Sequence, residues 1–117
     1  MAAISEAFAL AVKAGIDPQE LYQVLKSATA DSRMLNAKAS MLLGGAYTPG
    51  FKLSLAAKDL GVITTAAKKL GTPAFVASLV EQIYRLCLEE HGDKDTASVA
   101  LLYEKLAGVS FKARGAQ

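Results

Sequence analysis

Tryptophan is absent from this chain, and cysteine occurs once in 117 residues. One thiol cannot form an internal disulfide, so no covalent link is expected within the fold, and the pattern fits a reducing compartment. Apolar runs stop well short of the ~20 residues that a bilayer-spanning helix needs. The opening MAAISEAF has no basic segment ahead of an apolar core, so a secretory signal is not expected. Charge of one sign is scarce too. The formal net charge of +2 gives no general attraction to nucleic acid or to an anionic membrane. Walker loop, G-x-G-x-x-G cradle and Ser–His–Asp order are all missing. A single His and a single Cys offer no convergent metal-ligand set. The expectation is a soluble cytoplasmic protein with no metal, no nucleic-acid partner and no membrane partner.

What is present favours helix. Half of the residues are apolar, Ala and Leu dominate, and a chain of this length suits one domain that buries about two-thirds of its unfolded surface. Glycines divide it cleanly. Residues 2–14 form a first helix with Ile4, Phe8, Ala11 and Val12 on one side, stopped by Gly15. Asp17 caps a second helix, with Pro18 at its first position and Glu20 completing a capping box. That helix runs to about Ala28, with Leu21, Val24, Leu25 and Ala28 inward. Asp31 or Ser32 caps a third, ended by Gly44 and Gly45. A fourth begins near Lys52 and closes at Gly71, with Lys68 and Lys69 near its negative end. Thr72 and Pro73 repeat the cap-plus-proline device for a fifth helix to about His91, whose stripe is Val76, Leu79, Val80, Ile83 and Cys87. Gly92 stops it, and Asp95 or Thr96 starts a sixth through Leu106, with Val99, Leu102, Tyr103 and Leu106 periodic. No stretch alternates as a strand. The fold class is all-α, a single bundle of about six helices.

Most single residues have plain structural readings. Cys87 falls on an apolar stripe and reads as core. His91 reads as a capping or surface residue, and the four tyrosines are too scattered for a stacking platform. Residues 51–73, FKLSLAAKDLGVITTAAKKLGTP, differ. Leu53, Ala56, Leu60, Ile63, Ala67 and Leu70 make one stripe, while Leu55 and Val62 make a second on nearly the opposite face. Lys58 and Asp59 sit beside that second stripe. Their four-residue neighbours are Ser54, Val62, Leu55 and Ile63, so neither finds an opposite charge at helical spacing. Either this face is open to solvent, or Lys58 and Asp59 line a cleft and meet a polar ligand.

Three segments in order, EAFALAVKAGID, then FKLSLAAKDLGVITTAAKKLGTP, then EQIYRLCLEEHGDKDTASVA, resemble the C-terminal helical domain of the β-hydroxyacid dehydrogenases. That family includes 3-hydroxyisobutyrate dehydrogenase and tartronate semialdehyde reductase, and its fold is like the C-terminal domain of 6-phosphogluconate dehydrogenase. The resemblance spans nearly the whole chain, and its most specific part is Phe51 followed by Lys58, Asp59, Leu60 and Gly61, then Gly71 and Pro73. It implies an oxidoreductase that uses NAD or NADP to oxidise a small 3-hydroxy acid, working as a homo-oligomer. Lys58 would contact the cofactor. Phe51 and Asp59 would border the nicotinamide and substrate cleft, and a Rossmann domain would cover the second face of the fourth helix. The family's catalytic Lys, in a G-x-x-x-K-x-x-N segment, has no counterpart here, so no catalytic residue is expected in this chain and no activity from it alone. The alternative is a stand-alone helical interaction or oligomerisation module descended from such a domain. A helical nucleic-acid binder fits poorly, because lysines are spread over several helices and no recognition helix stands out.

Overall fold

The structure, a computed structural model, describes residues 1–115. They form six α-helices and one 3₁₀ turn, with no strand among the described residues. The helices are α1 (Ala2–Lys13), α2 (Pro18–Ser27), α3 (Arg33–Gly44), α4 (Leu53–Leu70), α5 (Phe75–His91) and α6 (Ala100–Ala107), with the 3₁₀ turn at Thr96–Val99 just before α6. The all-α expectation holds, and α3, α4 and α5 end at the expected glycines. The expected start of the sixth helix at Asp95 or Thr96 is instead a 3₁₀ turn, and α6 proper begins at Ala100.

The caps show why. Asp17 Oδ1 accepts the Gln19 amide at 2.9 Å and the Glu20 amide at 3.4 Å, so it caps α2 with Pro18 at the first position. Of the two candidates for α3, Ser32 is the cap and accepts from the Leu35 amide at 3.1 Å. Gly71 closes α4 at φ +67°, a left-handed conformation that costs any residue with a Cβ. Its amide bonds to the Lys68 carbonyl, and the Thr72 amide reaches back to the Ala67 carbonyl at 3.0 Å, which is a Schellman closure. Thr72 therefore ends α4 rather than starting α5. Contrary to the expected Thr72 cap, α5 begins at Phe75 with Ala74 as its uncapped N-terminal neighbour.

Two apolar clusters make the core. Phe8, Leu35, Leu42, Tyr47 and Phe111 anchor one, with the Phe8 and Phe111 rings tilted 54° at 5.6 Å between centroids. Leu53, Ala57, Tyr84, Cys87 and Val99 anchor the other. The 3₁₀ turn joins them, since Ala97 packs into the first cluster and Val99 into the second, and every residue from Asp95 to Ala100 is buried. Cys87 is core as expected, with its Sγ directed at the Ile83 carbonyl.

α4 and α5 pair along their length as a hairpin. The N-terminal half of α4 and the C-terminal half of α5 bring Leu53, Ala57, Tyr84 and Cys87 into the core, whereas their other ends expose apolar side chains. Ile63, Leu70, Val76 and Leu79, placed on inward stripes by periodicity, are exposed, and so are Val24 and Leu106. Periodicity identifies an apolar face, but not whether another element reaches it. His91 departs in the opposite sense. Its ring is only 15% exposed, with Nδ1 3.3 Å from the Lys94 ammonium and Nε2 3.7 Å from a Glu90 carboxylate oxygen.

Candidate functional site

At 100° per residue, the buried side chains of α4, Leu53, Ala57 and Thr64, share one face. Leu55 and Val62 lie on the opposite face, with Lys58 and Asp59 on either side of them. That outer face is open. Leu55 and Val62 are exposed, and the Lys58 and Asp59 side chains are 67% and 54% exposed. The two charges do find each other, with Nζ 3.6 Å from Oδ1. Helical spacing had left both without a partner. An exposed pair of this kind contributes at most about 1 kcal/mol, so Lys58 remains available to a stronger anion.

Lys58 stands where two open grooves meet. One, of about 480 Å³, runs along α4 past Gly61, Thr65 and Ala66 to Lys69. The other, of about 270 Å³, lies between α4 and α5, with Ser54, Ala57, Arg85 and Leu88 on its walls. Beneath this surface the hairpin is held by a buried carboxylate. Glu81 accepts the Thr64 hydroxyl at 2.7 Å and a two-pronged contact from the Arg85 guanidinium at 3.1 and 2.7 Å. The Thr64 hydroxyl, followed by Arg85, holds the Glu81 carboxyl below its ordinary range.

Phe51 lies two residues before α4 in the segment that follows Gly50, and its ring is half exposed. A second buried carboxylate organises this segment. Asp95 is fully buried and divides its two oxygens between two tasks. Oδ1 accepts the Ala97 amide at 2.9 Å and the Thr96 hydroxyl at 3.3 Å, capping the 3₁₀ turn. Oδ2 accepts the Gly50 amide at 2.9 Å, the Phe51 amide at 3.1 Å and the Lys38 ammonium at 2.8 Å. Burial by itself pushes this carboxyl upward, but the Lys38 ammonium and the Ala97, Phe51 and Gly50 amides outweigh it and hold it at about 2. Backbone bonds lace the same segments together: Thr96 N to the Phe51 carbonyl, Asp95 N to that of Tyr47, and Leu53 N to that of Lys94.

Residues 1–103 match the family described as the NAD-binding domain of NADP-dependent 3-hydroxyisobutyrate dehydrogenase. The chain belongs to that family. The chain is 32% identical to an L-threonate dehydrogenase of Haemophilus influenzae over 117 residues, covering 99% of this chain and 38% of that protein. It is 32% identical to a 2-hydroxy-3-oxopropionate reductase of Escherichia coli over 92 residues, covering 79% of this chain and 32% of the relative. Among solved structures, a 3-hydroxyisobutyrate dehydrogenase from Salmonella typhimurium superposes with a TM-score of 0.82 at 31% identity, over 86% of this chain and 36% of that one. The chain thus spans about a third of the length of the relatives it matches.

α4 carries two of the three residues singled out from the sequence, Lys58 and Asp59 in its second turn, and Phe51 lies two residues before its start. Lys58 thus places an exposed ammonium on the lining of both grooves, with apolar residues beside it. Two groups escaped sequence reasoning. Lys38 is 57 residues from Asp95 and Thr64 is 17 from Glu81, and no local pattern links such pairs. Asp95 was visible only as a candidate cap.

Proposed function

We propose that this chain is the helical domain of an NAD(P)-dependent dehydrogenase acting on a small 3-hydroxy acid, and that the outer face of α4 forms one wall of its cofactor and substrate cleft. The observation that carries this is the two-sided α4. A helix with a buried stripe on one face also shows apolar Leu55 and Val62 on the other, uncovered and flanked by Lys58 and Asp59. In this reading a Rossmann-type domain seats on that face. The nicotinamide cofactor supplies the hydride acceptor. Lys58 offers its ammonium to the negatively charged cofactor, while Phe51 and Asp59 border the nicotinamide and the hydroxy acid, Phe51 excluding water with its ring. No residue of this chain is assigned as the catalytic proton carrier. Assembly into a homo-oligomer would cover the apolar end of the α4–α5 hairpin, where Leu70, Phe75, Val76 and Leu79 are exposed.

The test is a chimera in which this chain replaces the matching 38% of the Haemophilus influenzae L-threonate dehydrogenase. NADPH and NADH affinity and hydroxy-acid oxidation are measured with and without Lys58→Ala. The expected result is a loss of at least tenfold in cofactor affinity or turnover, which is about 1.4 kcal/mol. Cofactor binding in the chimera no tighter than in the same protein lacking the segment would refute the reading. So would full activity in the Lys58→Ala chimera.

A further inference from the structure

The segment that presents Phe51 has no regular structure of its own, yet it is fixed at both ends of its short length. Its amides at Gly50 and Phe51 converge on one oxygen of Asp95, and the Phe51 carbonyl takes the Thr96 amide. The first turn of α4 is tied to the same region, since the Leu53 and Ser54 amides donate to the Lys94 and Gly92 carbonyls at 2.9 and 3.0 Å. We propose that Asp95, held in place by Lys38, is the positioning residue of this wall: it sets where Phe51 and the start of α4 are presented to the cleft. The functional meaning rests on the cleft reading above, whereas the placement is a property of this chain's own residues.

The division of labour at the carboxylate supports this over a simple capping role. Capping the 3₁₀ turn needs only Oδ1, which an Asn would supply equally well. Oδ2 adds nothing to the cap. It faces three donors brought from 44, 45 and 57 residues away in sequence. An Asn amide there would point its own N–H groups at donors, leaving Gly50, Phe51 and Lys38 without an acceptor. A buried negative charge is costly unless it is compensated this fully. The local chemistry therefore requires a carboxylate, and only the Phe51 segment and Lys38 make use of that requirement.

The first experiment measures amide hydrogen exchange by NMR in the 117-residue chain and in Asp95→Asn. Gly50 and Phe51 should lose at least tenfold in protection relative to the amides of Phe8 and Ala9 in α1, with the Phe51 ring signals moving as well. Unchanged protection at Gly50 and Phe51, or an equal loss throughout the chain, would overturn the proposal. If Asp95→Asn does not fold, Lys38→Met decides, because it keeps every acceptor of Asp95. From α3 only Lys38 contributes a charge to this carboxylate. From α5 the Tyr84 phenol is near enough to be influenced by it, and is pushed up to about 12 by burial, with Cys87, Tyr103 and Asp95 adding, and so stays neutral. Without the ammonium, Asp95 takes up a proton more readily. Gly50 and Phe51 shifts should then depend on pH in mild acid, where the wild type is flat, and Lys38→Arg should restore the flat profile. A flat profile in Lys38→Met would overturn the proposal. NADPH titrated into the chimera separates the two readings. If joining this chain adds no affinity, the cleft reading fails and the exchange data still judge the placement. If Lys58→Ala weakens NADPH binding while Asp95→Asn leaves it unchanged, Asp95 does not position the wall.

Discussion

Asp95 is a buried carboxylate whose ionisation contributes to the stability of this chain. Its folded carboxyl is held at about 2, against about 3.9 when unfolded. A depressed folded value stabilises the protein above the unfolded value, and the benefit is lost as pH falls through the folded one. Asp95 therefore contributes about 2–3 kcal/mol at neutral pH, and most of this disappears between roughly pH 4 and 2. Thermal unfolding followed from pH 7 to 2 should show that loss in the wild type. Asp95→Asn should start lower at pH 7 and fall less steeply. Lys58 predicts the contrary. With its side chain 67% exposed and only an exposed Asp59 beside it, Lys58→Ala should leave the melting temperature of this chain unchanged or slightly raised, since Ala is the better helix former. A large destabilisation would make Lys58 structural and count against a binding role.

Elements here end by backbone geometry as much as by side chains. Gly71 adopts φ +67° in open space, so Gly71→Ala meets no clash and should still cost about 1 kcal/mol through conformation alone. Gly44 is the last residue of α3, with no positive φ and nothing near its missing Cβ. Gly44→Ala should be neutral or stabilise by up to about 1 kcal/mol. Denaturant titration of the two variants checks both signs. Thr72 carries a related lesson. Its role in closing α4 is played by its backbone amide, and Thr72→Ala should change nothing measurable, which an N-cap of α5 would not allow.

At the scale of the whole molecule, the C-terminal segment and the hairpin end behave oppositely. Phe111 is fully buried against Phe8, and the Glu104 carboxylate accepts its amide. Phe111→Ala should cost about 3–5 kcal/mol, because it opens a cavity in the cluster that joins α1 to α3. The hairpin end leaves Leu70, Phe75, Val76 and Leu79 in solvent, along with Leu55 and Val62 on the outer face of α4. Apolar surface on this scale seeks partners. Sedimentation at high concentration is expected to show self-association, and a strict monomer would contradict it.

Helix number, most helix ends and the oddity of α4 were determined by the sequence alone, whereas the starts of α5 and α6 were not. Glycine stops, Asp17, Ser32 and the two-sided stripe around Lys58 act within a turn or two, and such short-range rules do not depend on the rest of the fold. Only the tertiary structure decided which apolar stripes are covered. Leu79 and Cys87 share one helical pattern, yet Cys87 meets the bundle and Leu79 lies beyond its reach. It also decided which charges meet. Lys38, Gly50, Phe51 and Asp95 become one group because α3, the Phe51 segment and the 3₁₀ turn converge. That convergence depends on packing among distant segments, and packing has no local signature in sequence.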